Sequence, residues 1–304
     1  MPSGVGHAAP GRVLAAYVVL CIVWGSTYLA IRVGVGELPP ALFAGTRFLV
    51  AGSLLIGAAR LLRRPMRVRP RDVATNIVVG LFLLFCGNGL VVWSEQFTPS
   101  GVTAIFVVTV TLWLALFDAI IPGSAARPTW RQVAGLLVGF GGTLLLVGER
   151  LGSLHEADWR GPLALTLASA AWALGSVLST RRPSEAGQEM NSALQMLAGG
   201  VALTLVGSLL GEWSDVHLTA RGLGALAYLV VFGSLVGYSS YVYVLRHMPP
   251  TVAGTYSYVN TVVAVLLGWA ILGEPITGRM IVAMVIVLGS VAWVRRAVRK
   301  PARA

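Results

Sequence analysis

Val13 to Val35, VLAAYVVLCIVWGSTYLAIRVGV, decides the fold class. One arginine interrupts an apolar run that, at about 1.5 Å per residue, crosses a hydrocarbon core of about 30 Å as a helix. Working outward, similar stretches follow at Pro40 to Leu62, Val73 to Ser94, Ser100 to Ile121, Val133 to Gly148, Pro162 to Thr180, Ser192 to Gly211, Leu223 to Leu245, Thr251 to Leu272 and Arg279 to Val298. In lipid a helix satisfies its backbone within one segment, so the sequence predicts an all-α integral membrane protein with ten transmembrane helices. The first run is long, polar-flanked and followed by further spans, so it reads as a helix and not as a cleaved leader. Of 304 residues, 56% are hydrophobic and 12% charged. So little chain is left between spans that a soluble domain is excluded, and the function is expected within or across the bilayer.

The net charge of +11 is distributed unevenly. Arg60, Arg63, Arg64, Arg67, Arg69 and Arg71 share one loop, Arg127 and Arg131 another, Arg181 and Arg182 a third; Arg246 and the tail Arg295, Arg296, Arg299, Lys300 and Arg303 complete the set. The alternate loops carry Glu37, Glu95, Glu149, Glu156, Asp158, Glu212, Asp215 and Glu274, with only scattered arginines such as Arg150, Arg160, Arg221 and Arg279. Short basic loops resist translocation, which puts both termini in the cytoplasm and the Glu149 to Arg160 linker outside. Basic boundaries of this kind set topology and attract anionic lipid; no nucleic-acid partner is expected. Cys21 and Cys86 sit inside spans as free thiols, and His7, His155, His217 and His247 have no ligand spacing, so neither a metal nor a cofactor is expected.

The chain repeats itself. Trp24 matches Trp172 and Arg47-Phe48-Leu49 matches Gln195-Met196-Leu197 at an offset of 148. Gly87-Asn88 matches Gly237-Tyr238, Pro99 matches Pro249 and Thr111 matches Thr261 at an offset of 150. Glycine-rich helices, Gly135 to Leu146 and Val282 to Trp293, close the halves. The expected division is therefore residues 1–150 and 151–304. With an odd number of spans each, the second half lies inverted relative to the first, an arrangement associated with alternating access about a midplane site.

Trp24-Gly25-Ser26-Thr27, Arg47-Phe48, Glu95-Gln96-Phe97-Thr98-Pro99-Ser100, Ala171-Trp172-Ala173-Leu174-Gly175-Ser176 and Leu272-Gly273-Glu274-Pro275 occur in an order and spacing that resembles the EamA-like permeases of the drug/metabolite transporter superfamily. The resemblance covers essentially the whole chain. It implies a bacterial inner-membrane exporter of small metabolites, commonly amino acids, with YddG-like aromatic amino-acid exporters as relatives. The pattern departs at Thr111 and Thr261, where members often carry proline. Threonine bonds back to its own helix and bends it gently, whereas proline frees a carbonyl and kinks it.

Candidate pathway residues are the polar and aromatic side chains placed deep in spans. Arg47 lies about 10 Å from the external end of its helix. An intramembrane cation faces a cavity or a partner, so it either ties helices together or binds a substrate carboxylate. Asn88, Gln195 and Asn260 need partners in hydrocarbon, from other helices or from substrate. Trp93, Trp130, Trp159, Trp213, Trp269 and Trp293 fall near span ends, as interfacial aromatics do. Trp24, Tyr28, Trp113, Trp172, Tyr238, Tyr241, Tyr256 and Tyr258 lie deeper; Trp24 and Tyr28 share a helix face. Ser176 belongs to the Trp172 motif. Thr111, Thr261, Gly87 and Gly237 are the gating candidates, and Gly89 and Gly233 allow close helix approach.

No acid is placed at the midplane: Glu95 and Glu274 are expected at external ends and Asp118 near an internal one. A proton relay through a buried carboxylate is therefore not expected. No nucleotide-binding loop is present, so no ATPase subunit is implied. The partners are a small-molecule substrate and the lipid bilayer. Competing readings are a drug or cationic-toxin exporter using cation-π surfaces, an intramembrane enzyme, for which no catalytic constellation exists, and a channel, which would use rings of like residues from symmetric subunits.

Overall fold

A computed structural model describes residues 10–96, 98, 100–123, 127–148, 158–182, 184–272 and 275–297. The helices are α1 (Pro10–Val35), α2 (Pro40–Leu61), α3 (Pro70–Gly80), α4 (Gly89–Ser94), α5 (Ser100–Val108), α6 (Val110–Ile120), α7 (Trp130–Val147), α8 (Arg160–Arg181), α9 (Gln188–Leu209), α10 (Ala220–Tyr228), α11 (Ser239–His247), α12 (Pro250–Ala253), α13 (Tyr256–Leu272) and α14 (Gly278–Arg296). No strand occurs among the described residues. Seven continuous helical stretches are long and apolar enough to cross a membrane, and Ile105–Ile120 and Trp130–Leu146 form shorter apolar helices.

Local chemistry sets the boundaries. Proline opens α2, α3 and α12, where its missing N–H costs no intrahelical bond. Thr129 caps α7 in a reciprocal box with Gln132, and Thr277, at the repeat offset of 277 − 129 = 148, caps α14 by accepting from the Met280 N–H at 3.3 Å. Four expected spans are not uniform α-helices. Leu81–Asn88 joins α3 to α4 as a π-helix, and Leu229–Tyr238 joins α10 to α11 in the same way. Thr109 separates α5 from α6, and Gly254 and Thr255 separate α12 from α13. The segments hold glycines and single polar residues such as Asn88 and Ser234, but hydropathy averaged over a span does not register a local change in the backbone ladder.

Packing is reciprocal between the halves. α2 runs along α9 and α7 along α14; α1 packs on the Leu229–Tyr238 π-helix while α8 packs on Leu81–Asn88. Backbones of α2 and α9 come together because glycine leaves room: a Cβ on Gly45 would lie 2.9 Å from Thr204 N, and one on Gly200 2.9 Å from Leu49 N. The outer surface is apolar, with Leu14, Val18, Ile22 and Leu29 exposed on α1. Trp93, Trp130, Trp159, Trp213, Trp269 and Trp293 are all exposed near helix ends, whereas Trp24, Trp113 and Trp172 are half-buried. That division follows from an amphipathic indole at a water–lipid boundary.

Candidate functional site

A cavity with about 720 Å³ of empty space, partly open to solvent, lies between the halves. α1 contributes Trp24, Thr27, Tyr28 and Ile31; α2 contributes Arg47 and Phe48; α8 contributes Ala168, Ser169 and Trp172. Leu84, Gly87 and Asn88 come from one π-helix, Gly233 and Tyr238 from the other. Val91, Val107, Val110, Tyr256 and Asn260 complete the wall. The π-helices face the cavity because a π-turn widens the helix and realigns its side chains, a device found at functional sites.

Two indoles stand together in the cavity wall. Trp24 and Trp172 meet edge to face with centroids 5.4 Å apart, and both contact Tyr241, at 5.3 Å each. Tyr256 stands 5.2 Å from Trp24 and 5.4 Å from Tyr241. Each indole is fixed by its N–H: Trp24 Nε1 donates to the Gly233 carbonyl at 3.0 Å, and Trp172 Nε1 to the Tyr241 hydroxyl at 2.9 Å. Ser176 Oγ bonds the same hydroxyl at 2.5 Å. Reciprocity extends to the glycines: a Cβ on Gly237 would lie 2.3 Å from Trp24 Nε1, and one on Gly87 3.0 Å from the Trp172 ring. Gly87 and Gly237 are thus seats for the two indoles.

Arg47 supplies the cavity's positive charge. Its Nε donates to Ser234 Oγ at 2.9 Å, its guanidinium lies 4.9 Å from the Phe48 ring centroid, and only 4% of the residue is exposed. No described carboxylate forms an ion pair with it, and no Asp or Glu lines the cavity. Asn88 also lines the cavity, with its Oδ1 buried and unpartnered. The Asn260 amide faces the Cys21 and Tyr256 carbonyls, each 3.0 Å away, and with its nitrogen assigned to that side it donates to both and ties α1 to α13. Tyr238 donates to Gln195 Oε1 at 2.7 Å, and Gln195 Nε2 to Asn76 Oδ1 at 2.7 Å, so Gln195 acts through a buried network behind the wall.

Trp24, Tyr28, Arg47, Gly87, Asn88, Trp172, Tyr238 and Asn260 therefore converge, with Ser176, Tyr241 and Gln195 behind them. Trp113 does not join them: it stacks on Phe117 at 5.8 Å. Tyr258 instead donates to the Leu136 carbonyl at 2.7 Å, holding α13 against α7. Thr111 bonds Val108 O at 2.8 Å and Thr261 bonds Ser257 O at 3.1 Å; the helix interruptions lie elsewhere, at Thr109 and at Gly254 and Thr255. Thr27 and Phe48, members of the motifs around Trp24 and Arg47, and Ile31 and Ser169 also line the cavity, although nothing in their residue type marks them as lining, and Ser234 stands behind it as the partner of Arg47. Glu95 stands at the span end expected for it, directly after Ser94, and is wholly buried there. Phe97, Pro99, residues 149–157, Gly273, Glu274 and the basic tail from 298 onward lie outside the described residues.

The cavity sits toward the end of the bundle where α1 and α4 finish and α2 and α8 begin. The opposite end is tied. Arg181 pairs with Asp118, whose second oxygen accepts from Thr251 Oγ1 at 3.1 Å, joining α8, α6 and α12. The Tyr17 and Thr255 hydroxyls bond at 2.7 Å.

Known proteins agree with this architecture. The EamA-like transporter family matches the chain twice, over residues 11–148 and 159–296. The chain belongs to that family, and it is a multi-pass transporter of the inner membrane. It is 38% identical over 264 residues to the uncharacterized inner membrane transporter YedA of Escherichia coli K12, covering 86% of this chain and 83% of that one. Protein PagO of Salmonella typhimurium is 23% identical over 74% of this chain and 73% of its own. A solved structure titled only as the crystal structure of a protein superposes with a TM-score of 0.79 at 22% identity, over 96% of this chain and 100% of the other, a likeness of fold. The family and its relatives' names indicate a transporter rather than an enzyme.

Proposed function

We propose that the protein exports small metabolites bearing a carboxylate and an apolar or aromatic body, amino acids foremost, by alternating access between two inverted five-helix halves of residues 1–150 and 151–304. Arg47 carries this reading: a nearly buried guanidinium at a cavity with no acid in its wall favours an anionic group. Trp24, Trp172 and Tyr256 offer flat surfaces to an aromatic side chain. The unpartnered Asn88 Oδ1 is an acceptor for an ammonium group. Mixed apolar walls with few polar anchors support broad specificity. A cationic drug would meet Arg47 without a compensating carboxylate, which disfavours the drug-efflux alternative.

The reciprocal seating of Trp24 on Gly237 and Trp172 on Gly87 supports two equivalent arrangements about one site. With both termini cytoplasmic, the open end faces outward and the Arg181–Asp118 end inward. The test is uptake and efflux of labelled amino acids, sugars and organic cations by liposomes containing the purified protein. Transport of neutral amino acids that falls at least tenfold in Arg47→Gln supports the reading. Transport confined to cations or sugars overturns it.

A further inference from the structure

Arg32 and Arg181 each stand in the last turn of the first helix of their half, Arg181 one residue beyond Thr180, the repeat counterpart of Arg32 at 32 + 148 = 180. Their partners differ. Arg181 holds a carboxylate, that of Asp118. Arg32, exposed to solvent, donates instead to the backbone carbonyls of Glu95 and Thr98. The Glu95 carboxyl beside it is fully buried, and both of its oxygens lack a hydrogen-bond partner. A buried carboxylate left unpaired is far costlier than a buried neutral acid. Glu95 also stands seven residues past Asn88 and four past Val91, on the helix face that lines the cavity.

We propose that Glu95 is a proton-binding site at the outer end of the pathway. Its carboxyl holds a proton while buried and unpaired, as here. When Arg32 leaves the two carbonyls and pairs with the carboxylate, the proton passes to external water and the main-chain contact at the outer end is replaced by a closer, ion-paired latch. The orientation rests on the topology proposed above; the protonation itself does not depend on the substrate.

Glu95 lies just past the apolar stretch Pro70–Ser94. Burial pushes its carboxyl up to about 8, with Arg32 opposing the shift. Tyr28 of α1 also faces it. Of the elements packed on α4, α2 bears Arg47 and, at its far end, Arg60; α8 bears Arg160 at its start and Arg181 at its end; the π-helix bears Cys86. None of these makes an ion pair with Glu95 among the described residues. The sign follows: a raised carboxyl pKa means that this unlatched state binds a proton that an Arg32-paired state does not. Acid therefore favours the unlatched state, and rising pH, through about 8, favours the latch.

Spin labels on cysteines at Gly36 and Gln96, both exposed, with Cys21 and Cys86 replaced by alanine, report this end in reconstituted protein without substrate. Between about pH 6 and about pH 10 the population with the shorter label distance should rise about tenfold. Glu95→Gln and Arg32→Gln should each keep the acid distribution at both pH values. A pH response retained in Glu95→Gln, or its absence in the parent, overturns the proposal. As a second measurement, the infrared carbonyl band of a buried carboxylic acid should be present near pH 6 in the parent and missing in Glu95→Gln; identical spectra likewise overturn it. Neither readout involves transport, so failure here is distinct from failure of the amino-acid reading.

Discussion

Gly237 is decided by one distance. An added methyl would stand 2.3 Å from Trp24 Nε1, and the indole is held by its bond to Gly233 O and by its contacts with Trp172, Tyr241 and Tyr256. Gly237→Ala should therefore displace Trp24, cost about 1–3 kcal/mol through overpacking and change the tryptophan fluorescence. Gly289 has nothing within 4 Å and lies inside α14, so Gly289→Ala should raise stability by about 0.5–1 kcal/mol. Thermal unfolding in detergent compares the two, and equal shifts would remove the case for an indole seat. Trp24→Ala or Trp172→Ala, in turn, should reduce transport of aromatic amino acids at least tenfold more than that of alanine; equal losses would assign the rings to packing alone. Trp24, Arg47 and Asn88 could be picked from the sequence because a charge, an amide or an indole deep in a span demands an explanation. Ile31, Ser169 and Ser234 could not, since a lone small or apolar residue in a span says nothing about which face it occupies.

Helix limits were legible to within a few residues because proline, threonine caps and hydropathy all mark them. The backbone irregularities inside spans were not. They alter the consequence of proline at Thr111 and Thr261, which are repeat-equivalent in sequence but differ in the fold. Thr111 is the second residue of α6, in a first turn whose N–H groups have no intrahelical partner. Thr261 is the sixth residue of α13, inside its hydrogen-bonded ladder. Thr111→Pro should be tolerated, whereas Thr261→Pro should cost about 3 kcal/mol. Thermal unfolding of both variants checks this, and equal effects would contradict the Thr109 interruption. The Asp118–Arg181–Thr251 tie spans three elements at the end away from the cavity mouth. Asp118→Asn leaves a buried guanidinium without its carboxylate and should cost about 3–5 kcal/mol. Because the lost tie belongs to one end, the variant should also speed labelling of a cysteine at Val252, buried beside the tie, by impermeant reagent from that end; unchanged labelling would make the pair a scaffold element and not a gate.

At the scale of the whole molecule, the reciprocal contacts of α1 with one π-helix and α8 with the other make sense if the halves are related by an axis in the membrane plane. That relation fixes which loops lie on which side once a single loop is placed. The Arg60 to Arg71 loop is the strongest anchor, with six arginines in twelve positions, 71 − 60 + 1, and such loops stay cytoplasmic. On the proposed topology, with five crossings in each half and a cytoplasmic start, the linker between the halves is expected outside, on the side where the cavity opens. Single cysteines at Arg67 and His155, in a background lacking Cys21 and Cys86, should be modified from opposite faces: His155→Cys in intact cells, Arg67→Cys only after permeabilisation. Modification of both in intact cells would mean an even number of crossings between them. The halves would then be parallel, Arg32 and Arg181 would lie at the same face, and neither a two-ended latch nor alternating access about the Trp24–Trp172 pair would follow from the fold.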